Sequence, residues 1–338
     1  MRYSLIIPVF NRPDEVDELL KSLTRQSQTD FEVIVVEDGS SVPCREVCEH
    51  YATQLPLRYF VKENGGPGPA RNFGAERAQG QYIIVLDSDV VLPEGYLDAI
   101  SEELDTAPAD AFGGPDRAHY SFTPMQKAIS YAMTSFFTTG GIRGGKKKMD
   151  RFYPRSFNMG VSAELWKRLG GFAPMRFGED IDFSIRIFDS GATCRLFPEA
   201  WVWHKRRTDL RKFFRQVHNS GIARINLYKR HPSSLKLVHL LPAAFTVGVS
   251  ILLVCILIGL LAGCRWLWLT ACGLLLFYSL LIFVNSTRLN KSIRVGVLSV
   301  AAAFVQLTGY GSGFLRAWWK RCVKGQDEFS AFEKNFYK

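Results

Sequence analysis

No charged side chain interrupts residues 240–264, 266–287 or 295–315, and that absence divides the chain in two. The first two runs, 25 and 22 residues long, each exceed the ~20 apolar residues that span hydrocarbon. Only Arg265 separates them, so they read as a tight hairpin. The third run is broken by Gln306, Gly309, Gly311 and Gly313 and reads as a span, a re-entrant segment or an interfacial one. Acid is almost missing from residues 204–236, where ten Lys/Arg face Asp209 alone. The preceding 203 residues carry 22 Lys/Arg and 28 Asp/Glu, a net charge of −6, so the overall +10 does not describe them. A basic collar directly before apolar spans fits a membrane surface better than nucleic acid.

Cysteine is also thinly used. Positions 44, 48, 194, 255, 264, 272 and 322 form no C-x-x-C pair, and an odd, scattered set is a poor disulfide or zinc framework. The thiols read as reduced, structural residues. Nor is there a secretory pattern at the start: Met1 leads into Tyr3-Ser4-Leu5-Ile6-Ile7-Pro8-Val9 and then turn residues, which is a first buried strand and not a leader.

The soluble part alternates short apolar runs with helical spacing, the signature of a mostly parallel sheet covered by helices. Strands are predicted at 3–9, 33–36, 57–61 and 82–86, with a helix over 13–26 that repeats Val16, Leu19, Leu20 and Leu23. Residues 111–157 look less regular, and 140–148, rich in Gly and Lys, read as a loop able to cover a site. Helices follow at 162–169 and 180–189 and strands at 193–197 and 200–203. Residues 208–230 form a basic amphipathic helix suited to the membrane interface. We thus expect an α/β domain over 1–207, an interfacial region over 208–236, a membrane segment over 237–315 and a basic tail over 316–338.

Ligands of such sheets sit at the carboxyl ends of the strands. Asp87-Ser88-Asp89 ends the fourth strand, and two carboxylates at that spacing can share a hard cation, Mg²⁺ or Mn²⁺, that keeps positions open for substrate phosphates. A domain of net negative charge needs such an ion to accept a nucleotide diphosphate. Pro8-Val9-Phe10-Asn11, Val35-Val36-Glu37-Asp38-Gly39-Ser40 and Asn64-Gly65-Gly66-Pro67-Gly68-Pro69-Ala70-Arg71 close the other three strands at the same edge. Farther on, Gly170-Gly171-Phe172 precedes Gly178-Glu179-Asp180-Ile181-Asp182.

In these motifs, their order and their spacing, residues 3–221 resemble the family-2 glycosyltransferases, whose catalytic domain has the GT-A fold. The resemblance implies a membrane-attached enzyme that transfers sugar from a nucleotide-diphosphate donor. It implies that Pro8 and Asn11 lie at the nucleotide, that Asp38 contacts base or ribose, that Arg71 approaches the donor, and that Asp87 holds ribose or metal with Asp89 as metal ligand. Asp180 would be the general base of an inverting reaction and Glu179 its orienter. His204, after Trp201-Val202-Trp203, would reach the metal or diphosphate. The processive Q-x-x-R-W motif is absent: the region reads Gln216-Val217-His218-Asn219-Ser220-Gly221, which favours single-sugar transfer. The acid pair favours a hydroxyl acceptor on a lipid-linked glycan over a polyprenyl phosphate, which is already ionised. A dinucleotide-binding enzyme is disfavoured by Arg71 at the third position of Gly66-Pro67-Gly68, where a side chain blocks helix packing. A non-catalytic binding module is disfavoured by the intact acids.

By the positive-inside rule, residues 205–236 and the loop of Arg288, Lys291 and Arg294 belong on the cytoplasmic side and Arg265 outside. The protein is therefore expected in the inner membrane as a multi-pass chain with a cytoplasmic catalytic domain. A third crossing would put Arg316, Lys320, Arg321 and Lys324 outside, so we expect residues 295–315 not to cross.

Overall fold

The structure is a computed structural model that describes residues 1–117, 122–140, 152–175, 177–205 and 207–332. The elements of the first half are β1 (Tyr3–Val9), α1 (Pro13–Leu23), β2 (Phe31–Asp38), α2 (Arg45–Tyr51), β3 (Leu57–Lys62), α3 (Pro67–Ala75), β4 (Tyr82–Leu86), β5 (Val90–Val91), α4 (Tyr96–Thr106), β6 (Ala111–Gly113) and β7 (Asp116–Arg117). There follow α5 (Pro124–Thr134), α6 (Phe136–Thr139), β8 (Asn158–Ser162), α7 (Ala163–Leu169), α8 (Glu179–Asp189), β9 (Cys194–Leu196) and β10 (Val202–His204). The chain then turns helical, with α9 (Leu210–Arg230), α10 (Leu241–Leu261), α11 (Arg265–Asn290), α12 (Ile293–Trp318) and α13 (Glu328–Ala331). Two compact units result.

Among the described residues, the first unit holds all ten strands. Its main sheet has the order β3-β2-β1-β4-β8-β6-β9, with β1 parallel to both β2 and β4 and with β8 antiparallel to β4. Runs such as Leu5-Ile6-Ile7 and Val33-Ile34-Val35-Val36 are continuous because both faces of these strands are covered. Alternate residues serve opposite cores. Leu5, Ile7, Val33, Val35 and Ile84 pack with Val16, Leu19 and Leu20 of α1 and Leu97 and Ile100 of α4. Ile6, Ile34, Val36, Ile83 and Val85 pack with Ala70 of α3, Trp166 of α7 and Phe183 of α8. These side chains are buried, and each Val, Leu, Ile and Phe among them contributes about 1.5–3 kcal/mol of transfer free energy.

The expectation of an irregular stretch over 111–157 needs correction. It carries β6, β7 and a three-turn helix, α5, whose start is a capping box between Thr123 and Gln126 with Pro124 in the first turn. Residues 141–148 of the predicted covering loop lie outside the described residues.

The second unit comprises α5, α6 and α9 to α13. Three of its helices are long and apolar enough to cross a membrane: Leu237–Leu261, Arg265–Asn290 and Ile293–Val323, with mean hydropathies of 2.8, 2.3 and 1.4. The third run is one unbroken α-helix, so a re-entrant bend at its glycines is corrected. Those glycines serve packing instead. A Cβ at Gly309 would press on Val217, at Gly313 on the His218 carbonyl, and at the facing Gly221 on the Tyr310 carbonyl, so α9 and α12 approach backbone to backbone. The apolar stripe of α9, predicted to face lipid, is covered by α12: Phe213 and Val217 share a buried cluster with Ala302 and Val295.

Candidate active site

The strand ends of the first unit gather the motifs. Asn11, at the end of β1, holds a positive φ of 54°. Its Oδ1 accepts from the Val42 N–H at 2.9 Å and from Ser41 Oγ at 3.1 Å, tying the first strand-end loop to the second. Pro8 lies inside β1 opposite Val36. Asp38 ends β2 in a buried position and accepts from the Gly65 and Gly66 N–H groups at 3.0 and 2.8 Å and from Lys62 Nζ at 2.7 Å. Gly39 must follow it, because φ is +71° and a Cβ would stand 2.7 Å from the Asn64 nitrogen. Here Asp38 shapes the loop that starts α3.

Asp87 and Asp89 follow β4 directly. Immediately after Asp89 the chain pairs antiparallel with β10, and the register His204↔Val90 sets the histidine beside Asp89. His204 Nε2 lies 3.2 Å from Asp89 Oδ1, its ring leans on Phe157, and its buried Nδ1 has no hydrogen-bond partner. The ligand atoms of Asp87, Asp89 and His204 all lie within 4.8 Å of one another. Two carboxylates and an imidazole suit a divalent ion of the Mn²⁺ or Mg²⁺ kind, and three ligands leave positions open for substrate oxygens. The residues present fit such an ion.

Three arginines balance the acids. Arg12, which the sequence reading did not single out, places Nη1 2.6 Å from Asp89 Oδ2. Arg71 is 4% exposed and bridges two motifs: Nη2 is 2.7 Å from Asp87 Oδ1 and Nη1 is 2.9 Å from Glu179 Oε1. Its guanidinium also covers the Phe172 ring. Arg155, likewise missed, donates from Nε to Asp180 Oδ2 at 2.6 Å. No residue pattern announces Arg12 or Arg155, since each meets its acid only through the fold.

Glu179 and Asp180 open α8, after Gly178. Burial, only partly offset by Arg71, pushes the Glu179 carboxyl above the ordinary carboxylate range. Burial acts in the same sense on Asp180, but the charge and hydrogen bond of Arg155, together with Arg71, outweigh it and hold Asp180 below that range. One acid of the pair is thus kept ionised and its neighbour is the readier to hold a proton. Asp87, Asp89 and His204 form one cluster, Glu179 and Asp180 another, and Arg71 joins them. Asn11 and Asp38 stand on neighbouring strand-end loops.

A mainly parallel sheet with helices on both faces and an Asp-x-Asp pair at its carboxyl edge defines a GT-A-like domain. Residues 4–166, just under half of the chain, match the model of glycosyl transferase family 2. Among curated relatives it is 27% identical over 205 residues to an uncharacterized glycosyltransferase, EpsJ, of Bacillus subtilis, covering 58% of each chain. It is 38% identical over 93 residues to the poly(ribitol-phosphate) β-N-acetylglucosaminyltransferase TarS of Staphylococcus aureus, covering 26% of this chain and 16% of TarS. The match to an uncharacterized glycosyltransferase of Rickettsia felis, 32% identical, covers 40% of this chain and 22% of the relative. The chain thus spans 58% or less of these relatives' lengths. Among solved structures it resembles the mannosyltransferase PcManGT of Pyrobaculum calidifontis, with a TM-score of 0.58 and 17% identity over 95% of this chain and 88% of the other.

Proposed function

We propose that this chain is a metal-dependent inverting glycosyltransferase that moves a single sugar from a nucleotide-diphosphate donor to a hydroxyl group of a membrane-linked acceptor. The observation that carries the reading is the joining of two acid pairs by one buried cation, Arg71, at the carboxyl edge of the sheet. Such an arrangement supplies the two charges the reaction needs on its two sides. Asp87, Asp89 and His204 would hold Mn²⁺ or Mg²⁺, which when bound offsets the charge of the diphosphate. PcManGT, whose likeness concerns the fold, was solved with GDP-Man and Mn²⁺.

Asp180, kept ionised by Arg155, takes the proton of the acceptor hydroxyl. The hydroxyl oxygen then bonds to the anomeric carbon as the bond from that carbon to the diphosphate breaks, and the nucleoside diphosphate leaves with the electron pair. Glu179 sets the Arg71 guanidinium, and so the position of Asp87. Asn11 and Asp38 shape the neighbouring loops on which the nucleotide would rest, with Pro8 beneath them. The apolar helices of the second unit would keep the enzyme at the membrane, where a lipid-linked acceptor is held.

The reading is tested with detergent-solubilised protein and a panel of nucleotide sugars, following released nucleoside diphosphate. One donor should give release that a chelator abolishes and Mn²⁺ or Mg²⁺ restores. Asp89→Ala should lose roughly 10²–10³-fold in rate with an unchanged circular dichroism spectrum. Release that persists in excess chelator would overturn the metal, and no release from any donor would overturn the transferase.

A further inference from the structure

We infer that α12, although long and apolar enough to span, does not cross the bilayer but lies in its cytoplasmic interface as a membrane-docking bracket for anionic lipid. It clasps one end of the α10–α11 hairpin.

The contacts of α12 locate it. α10 and α11 run antiparallel, with Phe245 against Tyr278 near one end and Gly259 against Trp268 near the other. α12 meets this hairpin at the first of these ends. Ser299 Oγ lies 2.7 Å from Ser286 Oγ of α11, Ala303 packs with Ile282, and Phe304 packs on both Phe245 and Tyr278. Thr246 Oγ1 then donates to the Leu307 carbonyl at 3.3 Å, and Gly311 lies against the Pro242 carbonyl. From Phe304 to Gly311 a helix advances about 10 Å along its axis. A helix crossing beside α10 would carry its contacts about seven residues deeper over that distance. Instead they stay at Pro242 and Thr246, in the first turns of α10, so α12 passes across that end of the hairpin.

A charged neighbour makes the same point. The C-terminal half of α12 and the helical turn that follows it, residues 319–323, run along α9, through Val217 at Gly309, His218 Nδ1 at 3.1 Å from Ser312 Oγ, and Arg321 Nε at 3.1 Å from Asn226 Oδ1. α9 carries Arg211, Lys212, Arg215, Arg224, Lys229 and Arg230. Each such side chain costs a few kcal/mol at the centre of a bilayer, so a helix laid along α9 lies at headgroup depth. Burial agrees, since 39% of the apolar window of α12 is covered by protein, against 6% for α10 and 11% for α11.

What α12 leaves uncovered suits an interface. Its last turn and the residues just after it expose Trp318 and Trp319 beside Arg316 and Lys320, a pairing of amphipathic rings with basic heads that belongs at the level of anionic headgroups. The tail then stays on the side of the collar at 205–236. The inference rests on the second unit alone, and its failure would leave the transferase reading untouched.

Labelling in intact cells with an impermeant thiol reagent tests it. Two variants freed of the other native cysteines are compared, one keeping Cys264 in the α10–α11 turn and one carrying Gln326→Cys in the exposed tail. The expected result is labelling of Cys264 from outside and of the tail only after permeabilisation. Labelling of both from outside would show a third crossing, and labelling of neither would show that the hairpin does not cross with Cys264 outward; either overturns the inference. Should the cysteine-free chain not fold, proteolysis of the unmodified protein decides. The tail should be cut at Lys324 in inside-out vesicles and spared in right-side-out ones, and the reverse would overturn the topology.

Discussion

The two units use the same apolar residues to opposite ends. In the α/β unit Leu5, Ile34 and Val85 are fully buried, and charge appears as pairs at the edge of the sheet. In the helical unit Leu253, Leu257 and Leu276 are more than half exposed, while serines and glycines are buried between helices, as Ser286 and Ser299 are. Leucine is core in one and exposed surface in the other, on helices long and apolar enough to cross a membrane. Hydropathy alone therefore cannot say what an apolar run does. Which side chains cover it decides, and α12 belongs to neither extreme.

The largest effect that sharpens this contrast is chemical. Asp180→Asn should lower transfer by ~10² or more while donor affinity, measured by titration calorimetry, stays within a few-fold, because in the proposed mechanism the missing carboxylate acts on the acceptor. Loss of donor binding would make Asp180 a structural residue. Next comes a matched pair of truncations: Leu5→Ala should cost about 2–5 kcal/mol in denaturant unfolding of the α/β unit, whereas Leu257→Ala in detergent should cost under about 0.5 kcal/mol. Equal costs would break the comparison.

The smallest effect concerns pH. A carboxyl held low stays ionised, and its stabilisation, present above the ordinary carboxylate pKa, is lost as pH falls through the depressed value. Arg155→Met removes the cation that depresses Asp180, so the acid limb of kcat/KM should move to higher pH and stability in mild acid should fall. An unmoved limb would mean that Asp180 is not the group that titrates.

Much of this was legible before any coordinates. β1 and β4 begin and end where their apolar runs do, because buried parallel strands are written as unbroken Val, Ile and Leu. α5 was missed although Thr123, Pro124 and Gln126 spell its start, because the residues that cover Ala128 and Ile129 lie in α9 and α12, far along the chain. β8 hid behind Asn158 and Gly160, which look like a turn until the Phe112 ring is seen to cover the glycine. Within the candidate site Asp38, Asp87 and Asp89 were legible from their place at strand ends, and Glu179 and Asp180 from the acid pair that opens α8. Their cationic partners were not, since ion pairs formed by folding leave no local pattern, as with Arg12 and Asp89.

Arg71 makes two distant motifs answerable to one another. Because one guanidinium, a single positive charge, is shared between Asp87 and Glu179, removing either acid changes the pairing its counterpart experiences, and a double-mutant cycle across the two should be strongly non-additive. For a diverging lineage the consequence is a shared constraint: neither motif can drift alone, and a substitution at one becomes tolerable only in the company of a matching change at the other or at the arginine itself.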